Sequence, residues 1–344
     1  MSFFAPRAAA LAFAAGTTVA IAAQASPLDV RLAVTQPVLR GDVDVVVEVT
    51  VTNPSRHPVH VLRWQLPSED WEQPLFRVVR DDRTPVKYLG AVVKRTAPSM
   101  QDHIKLEGGA VLRYRVELSG AYDLSQNGRY TVQYVSRSKQ GATLASAPLY
   151  LWLEGRSGLQ AQAAAQPAPA AGGSISFTGN CSSSQQALLR DAVSAATGYA
   201  NESLAYLSRT PAATARYTKW FGDVTTARWN TARAHFSASA DAFANKPLTL
   251  DCKCKKKNVY AYVYPTQPYK IYLCGAFWSA PLTGTDSKAG TLVHEMSHFN
   301  VVAGTDDWAY GQAAAAELAA SDPDKALNNA DNHEYFAENT PALP

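Results

Sequence analysis

The stretch Thr291–Leu292–Val293–His294–Glu295–Met296–Ser297–His298–Phe299 decides how the rest of the chain is read. His294 and His298 stand four apart, so on a helix they project from one face about one turn from each other. Two neutral imidazoles at that spacing can grip one zinc ion, and Glu295 between them can reach a water on the metal. Leu292, Val293 and Phe299 give the apolar flanks that a buried helix needs. An amphipathic helix can produce the same pattern by chance, so the residues that follow carry the weight.

A catalytic zinc takes a third protein ligand and keeps one position open for water. The extended motif with a glycine three residues after the second histidine and a third histidine three further on is excluded. Val301 and Gly304 occupy those places. Asp306 and Asp307 lie in a turn begun by Gly304, which can adopt the positive φ that ends a helix and sends the chain back. Glu317, on a later helix, is also within reach of such a plan. The spacing leaves all three carboxylates open.

Gly304–Thr305–Asp306–Asp307–Trp308–Ala309–Tyr310–Gly311 narrows the choice. H-E-x-x-H followed by G-T-x-D-x-x-Y-G resembles the aspzincin metallopeptidases, the deuterolysins and peptidyl-Lys metalloendopeptidases, and the likeness extends from about Gly172 to Pro344. The resemblance implies an α+β, zincin-like catalytic domain over residues 174–344 with one zinc held by His294, His298 and Asp307. It implies Glu295 as general base and Tyr310 as hydrogen-bond donor to the developing oxyanion.

The same resemblance bears on two further features. Four cysteines, Cys181, Cys252, Cys254 and Cys274, permit three pairings. Bridging within the C-x-C pair is strained, and a second zinc site would need more ligands. The resemblance implies Cys181–Cys252 and Cys254–Cys274. Lys253 and Lys255 to Lys257 between them read as a solvated hairpin tip. Further on, Asp331 and Glu334 are three apart and share a helix face. Spacing alone makes them solvated surface acids. The resemblance instead makes their helix the wall of the pocket for the residue after the cut bond, where paired carboxylates would favour a lysine ammonium. His333 between them is expected to bind no metal.

Ahead of this domain the texture changes. Arg7, an Ala-rich apolar run and Ala23–Gln24–Ala25 read as a signal peptide over residues 1–25. Over residues 26–156 the pattern has period two: Val45, Val47, Val49 and Val51 alternate with Asp44, Val46, Glu48 and Thr50, and Leu112, Tyr114, Val116 and Leu118 alternate with charged neighbours. Six to eight such strands with short turns predict an all-β, immunoglobulin-like sandwich. Residues 157–173 are Ala/Pro/Gln-rich and predict an exposed linker holding the maturation site. The sandwich is then a prodomain acting as an intramolecular inhibitor, the rival being a retained targeting module. No lysine lies between Lys139 and Lys219, so a strictly lysine-directed enzyme could not cut this linker itself.

The expectation is a secreted, extracellular, monomeric zinc metalloendopeptidase acting on proteins or peptides and preferring lysine after the cut bond. A broader, deuterolysin-like specificity is the near alternative, and a non-catalytic zinc-binding module is the distant one. A net charge of +3 gives no reason to expect a nucleic-acid partner, and the chain offers no convincing membrane span.

Overall fold

A computed structural model describes residues 27–68, 72–137, 143–157 and 173–344. The expected signal peptide and, apart from Ser157 and Gly173, the expected linker lie outside the described residues. Up to Glu154 the described elements are strands and two short 3-10 turns: β1 (Asp29–Ala33), β2 (Val38–Arg40), β3 (Val46–Thr52), β4 (Val59–Leu62), β5 (Phe76–Arg80), β6 (Val92–Arg95), β7 (His103–Leu106), β8 (Val111–Glu117), β9 (Gly128–Arg137), β10 (Thr143–Ala145) and β11 (Leu149–Glu154).

The alternation seen in the sequence sets their faces. In β3, Val47, Val49 and Val51 are fully buried while Glu48 is exposed, as a half-buried pleated strand requires. Strands β1, β3 and β8 form one antiparallel sheet. A second sheet runs β10–β9–β11–β2, with β5 also paired to β9. Valines of β3 and the inward residues Val78, Tyr130, Val132, Tyr134, Leu151 and Leu153 of the second sheet close on one hydrophobic core. A small β4–β7 pair stands beside it.

From Ser174 onward helices surround a sheet. The elements are β12 (Ile175–Thr178), α1 (Ser183–Leu207), α2 (Ala215–Phe221), α3 (Thr226–Asn245), β13 (Leu248–Asp251), β14 (Val259–Val263), β15 (Lys270–Leu273), α4 (Gly275–Ser279), α5 (Lys288–His298), α6 (Gln312–Ser321), α7 (Pro323–Leu327) and α8 (Ala330–Glu338). This half is α+β. Helix α1 begins where a capping box predicts: Ser182 Oγ accepts from the Gln185 amide at 3.2 Å and Gln185 Oε1 accepts from the Ser182 amide at 2.9 Å. The core between α1, α3 and the sheet is aromatic, and the Trp229 indole donates to the Leu207 carbonyl at 2.7 Å, so this large side chain is buried with its polar handle satisfied.

Helix α5 runs through the middle, packed on α1, α3, α8 and the sheet, with every residue from Lys288 to His298 buried. Gly290 permits its closest approach to α8, because a Cβ there would lie 2.0 Å from Glu338 Oε1.

Two details depart from expectation. Strands β13 and β14 do not form a hairpin; both flank β15, β13 in parallel and β14 antiparallel. The exposed lysine run is therefore a crossover loop, and both disulfides, Cys181–Cys252 and Cys254–Cys274, pin it at its start. The second is β6, which leaves the other N-terminal strands and pairs antiparallel with β14, completing the order β12–β13–β15–β14–β6.

Candidate active site

Helix α5 carries the site because its N-terminus is fixed twice. Ser287 Oγ accepts from the Gly290 amide at 2.9 Å as N-cap. Glu338 of α8 accepts from the Ser287 amide and hydroxyl, both at 2.8 Å, and from the Asp286 amide at 3.1 Å. At the other end of α5, His294 and His298 face each other with their Nε2 atoms 3.1 Å apart.

The chain then turns. Gly304 takes φ +61°, and the amides of Gly304 and Thr305 donate to the carbonyls of Phe299 and Ser297 at 3.1 Å each. This return brings Asp307 Oδ1 to 3.2 Å from His294 Nε2 and 3.5 Å from His298 Nε2. Asn329 locks the turn: its Oδ1 accepts from the amides of Trp308 and Ala309 at 2.7 and 2.9 Å, and its Nδ2 donates to the Ala309 carbonyl at 3.0 Å. Of the three carboxylates left open by spacing, Asp307 alone reaches the histidines. Asp306 is exposed one residue earlier, and Glu317 is exposed on α6.

This donor set of two imidazoles and a carboxylate fits a borderline divalent cation such as zinc. His298 Nδ1–H donates to the Thr305 carbonyl at 2.7 Å, and His294 Nδ1 lies 2.9 Å from Asp331 Oδ1. With His298 Nδ1 hydrogen-bonded outward and His294 Nδ1 facing the Asp331 carboxylate, two Nε2 atoms and a carboxylate oxygen converge on one point. Asp307 Oδ1 is buried with no hydrogen-bond partner. Burial alone would keep His294 neutral, yet Asp307, Asp331 and Glu334 around it push its pKa well above the ordinary value, which marks the spot as one that calls for positive charge.

Glu295 and Tyr310 border the same point. Both Glu295 carboxylate oxygens are buried without a hydrogen-bond partner, and burial raises the pKa to about 8. The Tyr310 hydroxyl donates to Asp307 Oδ2 at 3.2 Å, and burial followed by the charge of Asp307 holds its pKa well above 10, so it stays a donor.

Helix α8 supplies the neighbouring recess. Asp331 and Glu334 are buried on its inner face, and Glu334 Oε2 lies 3.3 Å from His294 Nδ1. Together with Asp286 they surround one ammonium group, that of Lys94 on β6: Nζ is 2.6 Å from Glu334 Oε2, 3.7 Å from Asp331 Oδ1 and 3.6 Å from Asp286 Oδ1. The rings of Tyr260 and Tyr335 complete the walls, 5.2 and 5.9 Å from Nζ. His333 takes no part; its Nδ1–H donates to the Asn329 carbonyl and its Nε2 accepts from His235.

Sequence reasoning did not find Asp286, Asn329 or Lys94. Asp286 had one signal, its place just before the Ser287 cap; its φ of +51° is a conformation that Asp tolerates better than most residues. Asn329 has no local signal, because the turn that it braces lies some twenty residues earlier in the chain.

Residues 206–338 match the aspzincin M35 family model, described as lysine-specific metallo-endopeptidase. The chain is 48% identical over 330 residues to an extracellular protease of Aeromonas hydrophila, covering 92% of this chain and 94% of that one. It is 38% identical over 300 residues to a peptidyl-Lys metalloendopeptidase of Grifola frondosa, covering 84% of each. A solved zinc peptidase from Grifola frondosa matches 48% of this chain and all of its own at 55% identity, with a TM-score of 0.46. The chain belongs to the aspzincin family of metallo-endopeptidases.

Proposed function

We propose that this chain is a secreted endopeptidase that uses one zinc ion, held by His294, His298 and Asp307, to cut peptide bonds on the amino side of lysine. The observation that carries the reading is the adjacency of two sites. The His294–His298–Asp307 cluster and the three-carboxylate recess share a wall, since His294 Nδ1 lies within 2.9 Å of Asp331 and 3.3 Å of Glu334. An ammonium accepted by the recess puts its own peptide bond beside the cluster.

Bound there, zinc would polarise the carbonyl and acidify water. The protein does the rest. Glu295 is a buried carboxylate whose two oxygens have no hydrogen-bond partner in the protein, so it is free to take a proton from water and return it to the leaving amine. The Tyr310 hydroxyl donates to the carbonyl oxygen as negative charge develops on it. Asp331 acts twice, setting its negative charge beside His294 Nδ1 and contributing charge to the recess. Asp286, Asp331 and Glu334 select the compact lysine charge, and the recess walls strip it of water.

Secretion is supported by the signal-like residues 1–25, by two disulfides and by a relative named an extracellular protease. No described helix is long and apolar enough to cross a membrane. Residues 26–156 serve as a prodomain released by cutting within 157–173, and the absence of lysine there assigns that cut to another protease. The test is Glu295→Gln. The variant is expected to bind one zinc per chain by metal analysis and to lose at least about a thousandfold in turnover. Near-full activity would remove Glu295 from the mechanism.

A further inference from the structure

We infer that the N-terminal half closes the active site with a lysine held in substrate register, so that Lys94 sits where the substrate's lysine would sit and the Val93–Lys94 peptide bond lies across the catalytic centre. This rests on the reading above, that the recess between Asp286, Asp331 and Glu334 takes the substrate lysine.

Three independent contacts define the register. The first is backbone pairing. Strand β6 lies antiparallel on β14, with Val92, Val93 and Lys94 opposite Val263, Tyr262 and Ala261. Adding an extended segment to a free sheet edge is how proteins commonly hold peptides, because the ladder fixes which residue meets which pocket. The second is the side chain. Lys94 is 2% exposed although it lies on an edge strand, and its ammonium reaches all three acids of the recess. The third is the carbonyl before that lysine. The Val93 carbonyl oxygen accepts from the Tyr310 hydroxyl at 3.4 Å, and Tyr310 also bonds Asp307. Lysine in the acidic recess and the preceding carbonyl on Tyr310 together describe a peptide placed for cleavage before lysine.

A purely structural ion pair explains less. Burying a lysine against carboxylates is costly and seldom more stabilising than apolar packing, so folding alone gives no reason to put one here. Nor would a structural pair require the neighbouring carbonyl to meet Tyr310. The next residue ties the strand down: Arg95 borders Tyr310 and Asp307, donates to Glu72 at 2.8 Å and lies over the Trp64 ring, while Lys256 of the crossover loop also pairs with Glu72. Asn258 donates to Asp102 at 2.8 Å. These links hold the strand at both domains, so the internal lysine competes with free substrate as a tethered ligand at a high effective concentration.

The test measures binding without turnover. The full chain carrying Glu295→Gln is loaded with zinc and titrated with a labelled peptide containing one lysine, and with the same peptide containing norleucine instead. The titrations are repeated after adding Lys94→Ala or Lys94→Gln, with zinc content and thermal unfolding recorded for each. Lys94→Gln keeps most of the buried stem and reports if the alanine variant fails to fold. Replacing Lys94 is expected to tighten the lysyl peptide at least tenfold and the norleucyl peptide much less. If neither peptide gains although the active enzyme still yields lysine-led fragments, the internal-substrate inference is overturned and the lysine reading stands. Equal gains for both peptides would overturn the lysine reading and the inference with it.

Discussion

Glu334→Gln tests the recess most sharply, because Gln keeps the shape and removes the nearest of three charges. Glu334 lies 2.6 Å from the Lys94 ammonium, against 3.7 Å for Asp331 and 3.6 Å for Asp286. With attraction falling as the inverse of distance, Glu334 supplies roughly two-fifths of the direct pull on a lysine held there. Cutting one partner out of a buried, hydrogen-bonded charge pair costs about 2–5 kcal/mol. Two acids remain, so the loss belongs at the low end, about 2–3 kcal/mol, or roughly 30- to 150-fold. The assay is kcat/KM on two peptides that differ only in lysine or norleucine after the scissile bond. Glu334 also lies 3.3 Å from His294 Nδ1, so the variant can disturb metal binding. That disturbance affects both peptides alike and cancels in their ratio. The lysine-over-norleucine ratio is expected to fall 30- to 150-fold. A ratio within threefold of the parent would refute the recess as the source of specificity.

Tyr310→Phe removes the hydroxyl proposed to donate to the developing oxyanion and should lower kcat about 100- to 1000-fold with little change in KM; a kcat within threefold of the parent would dismiss Tyr310 from that role. The His235–His333 pair, 3.0 Å apart, gives a pH prediction, since burial lowers the two pKa values to about 4 and about 3. Both rings stay neutral in the folded chain while the unfolded chain takes up protons near pH 6.5, so stability held above pH 6.5 drains away as pH falls towards 4. His235→Gln should therefore lose less stability across that window in thermal or urea unfolding, by up to about 3 kcal/mol; parallel pH profiles would contradict the assignment.

Much of the site was legible because its chemistry is local in sequence. His294, Glu295 and His298 fall on one helical turn, and the spacing from Gly304 to Gly311 encodes a return that a glycine with positive φ makes possible. Spacing could not choose among Asp306, Asp307 and Glu317. The choice depends on which side chain the turn directs inward, and Asn329, twenty-two residues after Asp307 in the chain, sets that direction. Asp331 and Glu334 show the limit of local reasoning: i, i+3 spacing puts them on one face without saying whether that face meets water. Burial of the whole of α8 against α5 decides it. The alternation in β3 and β8 exposed the β character of the N-terminal half. Nothing in Val92–Val93–Lys94–Arg95 announced that this strand pairs with β14, because pairing between distant segments depends on edges that only the assembled fold presents. The lysine run was misread as a hairpin tip for the same reason: a loop between β13 and β14 looks alike whether the strands are neighbours or flank β15.

On the proposed function, this chain cuts before lysine with a metal held by His294, His298 and Asp307. The most direct measurement is a digest of a denatured protein mixture by the active, zinc-loaded enzyme, with the new N-termini sequenced by mass spectrometry, with and without a chelator. Fragments are expected to begin almost entirely with lysine and to disappear when the metal is removed. Varied N-termini that vanish with the chelator would contradict the lysine recess, and cleavage that survives metal removal would contradict the metal centre itself.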